Sequence, residues 1–145
     1  HINGYTKSGL LWLGRRSETK STDPGKLDNI AAGGISADET PWVCAKRELW
    51  EEAGVPPQIA DQVEPVGRIH MRRPIPGRGF HDEQLFIYDL ELPDQFVPTN
   101  HDGEVSGFIQ ISLAEATARI LADEFTSDAA FVTADYILRR NKSTF

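Results

Sequence analysis

Residues 33–55, GGISADETPWVCAKRELWEEAGV, decide how the chain is read. Thr40 offers a side-chain oxygen where a helix N-cap needs one, and Pro41 suits the first helical position, where its missing N–H costs nothing. Gly54 supplies a left-handed stop, and Pro56 forbids continuation. This predicts a helix of about three and a half turns ending at Ala53. At ~100° per residue, Glu48, Glu51 and Glu52 share a sector of ~100°, beside an apolar stripe of Trp42, Ala45, Leu49 and Ala53. Like charges at such spacings repel by ~0.2–0.5 kcal/mol per pair, and acids in a last turn oppose the helix dipole by ~0.3–1 kcal/mol each. Such a helix calls for a positive partner, and clustered carboxylate oxygens suit Mg²⁺ or Mn²⁺. The triplet alone is also readable as a solvated acidic face.

The spacing around the triplet narrows the choice. Gly33, five residues, Glu39, seven residues, then Arg47-Glu48-Leu49-Trp50-Glu51-Glu52-Ala53-Gly54-Val55 resembles the Nudix box, G-x5-E-x7-R-E-U-x-E-E-x-G-U with U aliphatic. Every specified position matches. The resemblance implies an α/β fold, an α/β/α sandwich with a mixed β-sheet, in which the box forms loop–helix–loop against the sheet. It further implies hydrolysis of a diphosphate joined to another group, with divalent cations held by Glu48, Glu52, the Gly33 carbonyl and Glu51. Arg47 is then no ligand but the partner of Glu39, tying loop to helix.

The 145 residues suffice for one domain with a real core, and the net charge of −7 lacks the basic footprint of a nucleic-acid binder. No apolar run approaches the ~20 residues of a membrane span. The expected partner is therefore a small-molecule diphosphate, not a nucleic acid polymer or a membrane. The single cysteine, Cys44, makes no internal disulfide and fits a reducing, cytoplasmic setting. It sits beside the acidic sector but is a poor Mg²⁺ ligand, so it reads as a small packing residue. The chain opens at His1 without Met, inside a predicted strand, so residues 1–145 are expected to be one domain preceded by an N-terminal region.

Strands are predicted over 1–5, 10–14, 63–71, 83–92 and 104–111, and helices over about 113–122 and 127–140. Residues 57–62 read as a short helical turn. The continuous run Leu10-Leu11-Trp12-Leu13 suits a central strand covered on both faces. Residues 72–80, RRPIPGRGF, hold two prolines, two glycines and three arginines and read as a loop, a flap over substrate. Arg15, Arg16, Lys20 and Arg72 are candidate phosphate contacts, since arginine presents a planar fork of donors. Trp12 and Phe80 read chiefly as packing residues.

The general base varies among Nudix relatives. Glu104, at the head of a strand, is the candidate outside the box; Glu51 or Glu48 are alternatives within it. The segment LWLGRRS, Lys20, PGKLDN and Ala32-Gly33-Gly34 resembles the Nudix branch related to thiamine pyrophosphokinases, which implies thiamine diphosphate or its damaged analogues as substrate. It also resembles isopentenyl diphosphate isomerases, but these need a cysteine after the Asn, where this chain has Ile30. A non-catalytic ligand sensor is the other alternative, although such domains usually carry a degraded box. Nudix hydrolases often dimerise, so a homodimer is a further expectation.

Overall fold

The computed structural model describes residues 1–142, so residues 143–145 of the expected 1–145 domain lie outside the described residues. The apolar run becomes β2 (Leu11–Arg16), in the middle of a six-stranded mixed sheet. The other strands are β1 (Ile2–Thr6), β3 (Leu27–Asn29), β4 (Glu64–Ile75), β5 (Gly79–Leu92) and β6 (Val105–Ile111). One edge of β2 pairs antiparallel with β6 from Leu11 to Arg16. Its other edge is shared: β1 takes Leu11 and Trp12, and β3 takes Leu13 to Arg15, both antiparallel. β1 then pairs parallel with β5, and β5 antiparallel with β4 at the far edge.

Helices α1 (Pro41–Ala53) and α2 (Pro57–Ala60) cover one face, and α3 (Leu113–Leu121) and α4 (Ser127–Lys142) the other. Alternation along β2 supplies both layers. Leu11 and Leu13 pack with Ala116, Phe125 and Tyr136, while Trp12 packs with Leu49, Ala53 and Val55. Each fully buried aliphatic side chain contributes ~1.5–3 kcal/mol of transfer free energy. That outweighs the few tenths per residue of helix propensity, so packing holds α1 in place. Among the described residues, no helix is long and apolar enough to cross a membrane.

Two sequence expectations need correction. Residues 72–80 are not a loop. β4 and β5 form one long hairpin, paired through Ile75 and Gly79, with its turn at residues 76–78. Gly77 and Gly79 supply the positive φ values the turn needs, at 73° and 96°. Pro74 is tolerated because β4 is an edge strand, where a missing N–H forfeits no ladder bond. The second correction concerns Trp42. Ala45, Leu49 and Ala53 are buried, but Trp42 is 41% exposed, with Lys46 Nζ 4.2 Å from its ring centroid. The buried side of α1 turns instead toward Cys44, Glu48 and Glu52.

The ends of α1 form as its residues dictate. The Thr40 side chain accepts the Val43 N–H, and Gly54 closes the helix at φ 64°. A Cβ on Gly54 would meet the Thr99 carbonyl oxygen at 2.7 Å. Gly54→Ala therefore combines the left-handed penalty of ~1–2 kcal/mol with a backbone clash. The variant should lose at least ~1–2 kcal/mol in denaturant unfolding, read as a lower midpoint at unchanged slope.

Candidate functional site

The box helix buries two of its acids. Glu48 and Glu52 are each only 8% exposed, whereas Glu51 lies half out in solvent. The loop that follows β3 receives them. A Cβ built on Gly33 would fall within the Glu48 carboxylate, so only glycine leaves room for that side chain. The Ala32 N–H donates to Glu52 Oε2 at 2.8 Å and fixes the carboxylate's orientation.

Arg47 ties the loop to the helix as the spacing predicts. Its Nε and Nη2 donate to Glu39 Oε1 and Oε2 at 2.8 and 3.0 Å, a bidentate fork. Its Nη1 donates to Glu48 Oε1 at 2.6 Å and to Glu51 Oε2 at 3.0 Å, so one guanidinium gathers three carboxylates. Hydrogen bonds from Arg47 hold the Glu39 carboxyl down at about 2. Burial pushes Glu48 above the usual range despite Arg47 beside it. Burial pushes Glu52 up to about 8; the Ala32 N–H opposes the shift, and Asp28, Glu48 and Asp102 reinforce it. The Cys44 thiol, pushed up by burial to about 11, lies 3.5 Å from the Gly34 carbonyl oxygen and acts as a small packing group.

The segment between β5 and β6 completes the cluster. Glu52, Asp102 and Glu104 each bring a carboxylate oxygen to within 4.8 Å of the others. Lys20 pairs with Glu104 at the rim. These donors are all hard oxygens, two of the acids near them are buried, and Glu52 is held above its ordinary pKa. That is the environment in which a hard divalent cation binds favourably. The residues present therefore fit Mg²⁺ or Mn²⁺.

A cleft of about 430 Å³ opens next to Glu48 and Gly33. Its walls include Arg16, Asp28, Arg73, Tyr88 and Asp128. The four basic residues picked from sequence separate. Arg16 lines the cleft and donates to Asp28 Oδ2 at 3.1 Å and to the Thr22 carbonyl. Arg15 donates to the Gly25 carbonyl at 2.8 Å, and Lys20 faces Glu104. Arg72 lies 4.5 Å over the Phe80 ring on the exposed face of the hairpin, while Arg73 lines the cleft and donates to Ser127 Oγ at 3.1 Å. Ile30, at the position where an isomerase needs cysteine, is fully buried in the core.

Sequence reasoning missed Asp102 and gave Arg73 only a place in a flap beside Arg72 and Arg78. Asp102 stands two residues before Glu104, in a turn that packs against the end of α1, a contact that no local residue pattern announces. Arg73 was hidden by reading residues 72–80 as a loop; strand alternation separates it from Arg72.

Residues 3–134 match the model of the NUDIX domain family. Two Arabidopsis thaliana proteins, "Nudix hydrolase 24, chloroplastic" and "Nudix hydrolase 20, chloroplastic", are each 39% identical to this chain over 143 residues. The matches cover 96% of this chain but 39% and 38% of those proteins, so the chain spans well under half the length of these relatives. Their names give no support to the cytoplasmic location expected above. Among solved structures, that of DR0079 from Deinococcus radiodurans matches with a TM-score of 0.75 at 25% identity, over 93% of this chain and 79% of that one. With an intact box, two buried box glutamates and the expected sandwich, the chain belongs to the NUDIX domain family.

Proposed function

We propose that this chain hydrolyses a diphosphate linkage in a small-molecule or nucleotide-like substrate, in a reaction that depends on Mg²⁺ or Mn²⁺. One observation carries the reading: Glu52 is buried and converges with Asp102 and Glu104, while Glu48, one helical turn before it, is buried and lines an open cleft. The hydrolase names of the relatives support it. The reading takes residues 1–145 as one catalytic domain, and the family match over 3–134 supports that.

Glu48, Glu52, the Gly33 carbonyl and Glu51 are the proposed ligands, with Asp102 added to the set. When bound, the cation neutralises phosphate oxygens and lowers the pKa of the attacking water. Arg47 holds Glu48 and Glu51 in place and keeps their charges from separating the helix and the loop. Glu104 is the favoured acceptor of the water's proton because its carboxylate reaches the cluster from outside the helix; Glu51 and Glu48 are the alternatives. Lys20 pairs with Glu104 and holds its carboxylate at the rim of the cluster. Arg16 and Arg73, which both line the cleft, bind the distal phosphate; Arg15 and Arg72 lie outside its walls and are not part of this reading.

Thiamine diphosphate or its damaged analogues are the proposed specific substrates. Asp28 and Asp128 give the cleft acceptors suited to a ring that carries positive charge or N–H donors, and its volume lies within the ~300–1,000 Å³ of ordinary ligand sites.

Phosphate release from a panel of diphosphates, with and without Mg²⁺, tests the reading. Glu52→Gln should lower kcat by more than the ~10–100-fold typical of outer-sphere changes. Full activity in that variant, or none in the wild type on any diphosphate, would sink the hydrolase reading.

The pH response has a definite sign. Glu52 moves from an ordinary 4.5 to about 8, so the folded state holds the extra proton between those values. Metal-free stability should therefore fall as pH rises from about 4.5 to about 8. Thermal melts across that window should show added Mg²⁺ stabilising more at pH 8.5 than at pH 6, and Glu52→Gln should flatten both trends.

Gly33→Ala separates activity from folding. The new methyl meets only the mobile end of Glu48, which can swing aside. We expect a change of less than ~1 kcal/mol in denaturant unfolding together with a large loss of turnover. Retained turnover would remove Gly33 and Glu48 from the site.

A further inference from the structure

The last carbonyls of a helix lack partners within it. At the end of α1 that carries Glu51 and Glu52, the segment 99–104 supplies them. The Thr99 N–H donates to the Ala53 carbonyl at 3.0 Å, and the His101 N–H to the Glu51 carbonyl at 2.8 Å. The ring of His101 also stacks edge-on against Trp50, with centroids 4.5 Å apart. Between them Asn100 uses its side chain. Its Nδ2 donates to the Glu52 carbonyl at 3.1 Å and to Asp102 Oδ1 at 2.8 Å, and its Oδ1 accepts the Gly103 N–H at 2.6 Å. Asp102 Oδ1 accepts the Glu104 N–H at 2.8 Å in turn. A continuous run of hydrogen bonds thus joins the main chain of Glu52 to that of Glu104 through one half-buried amide. Glu52, Asp102 and Glu104 are the three acids whose oxygens converge.

We propose that Asn100 is a positioning residue for the hydrolysis, its amide donor setting Asp102 and Glu104 against Glu52. The proposal rests on the hydrolase reading above. A plain turn-forming role needs only the acceptor that holds the Gly103 N–H, and aspartate fills that role as well as asparagine. Positioning needs the NH₂ group. Asn100→Asp separates the two, because it keeps the acceptor and sets a carboxylate oxygen against the Glu52 carbonyl and Asp102.

The test compares wild type, Asn100→Asp and Asn100→Ala in three measurements. These are Mn²⁺ affinity from the EPR signal of free Mn²⁺, kcat and KM on a diphosphate the wild type cleaves, and melting without metal. Both variants should lose ~10–100-fold in Mn²⁺ affinity and in kcat with KM unchanged. Their metal-free melting should stay near wild type, because the Thr99 and His101 bonds remain. Should Asn100→Ala fail to fold, the near-isosteric aspartate variant still decides. Unchanged or tighter Mn²⁺ binding with full kcat in Asn100→Asp would overturn the proposal and leave Asn100 a turn residue. A wild type that binds no Mn²⁺ would overturn the metal reading and this proposal together. A wild type that binds Mn²⁺ without turning over any diphosphate would overturn the hydrolase reading alone, and the Mn²⁺ affinities would still decide the role of Asn100.

Discussion

Two carboxylates turned inward under a helix are the constraint that the rest of this structure serves. Removing a charge from water is costly unless partners surround it. Glu48 and Glu52 are nonetheless buried. Their compensation is incomplete: Glu48 has the Arg47 guanidinium, and Glu52 has one backbone N–H and only acids nearby. Replacing either by an apolar residue of like size would serve stability better. The arrangement makes sense when a cation completes it, since binding then returns the free energy that burial withholds.

The surrounding elements convert that constraint into position. β2 is shared by three strands, and one of them, β3, is only three residues long. That short strand ends where Ile30 and Ala31 enter the core, which delivers Ala32, Gly33 and Gly34 to the helix at a fixed height. From the other side, Leu49 and Ala53 anchor α1 on the sheet and fix the height of the backbone that carries Glu48 and Glu52. The acids are held by apolar packing of their own neighbours, one residue along the helix in each case.

Much of this was legible from residue types alone. Thr40, Pro41 and Gly54 fixed both ends of α1 because capping is local chemistry. The run Leu10-Leu11-Trp12-Leu13 declared a strand buried on two faces because no polar residue interrupts it. What stayed hidden depends on contacts distant in sequence. β3 has too few residues to show a period, and it is held extended by pairing with β2 and with the chain around Phe125. The hairpin tip was masked because proline and glycine speak for a loop, and only an edge position makes Pro74 acceptable. Trp42 fits a helical stripe by spacing, yet it stays exposed in the first turn with Lys46 over its ring. Asp102 has no local mark of function at all, because its role follows from a turn packed against a helix roughly fifty residues earlier in the chain.

The two sides of the acid cluster are held by unlike devices, and the difference follows from charge. On the loop side, where Glu39, Glu48 and Glu51 meet, a single guanidinium suffices because it supplies positive charge to all three. At the helix C-terminus the backbone itself presents negative ends, so a second cation there would compete with the metal for the same oxygens. A neutral amide avoids the competition. It satisfies a carbonyl and orients a carboxylate without cancelling the field that draws a divalent ion in. Lys20 pairs with Glu104 at the rim, where solvent partly screens the pair. The site is thus arranged so that positive side chains stabilise its periphery, while its centre stays negative enough to need a metal.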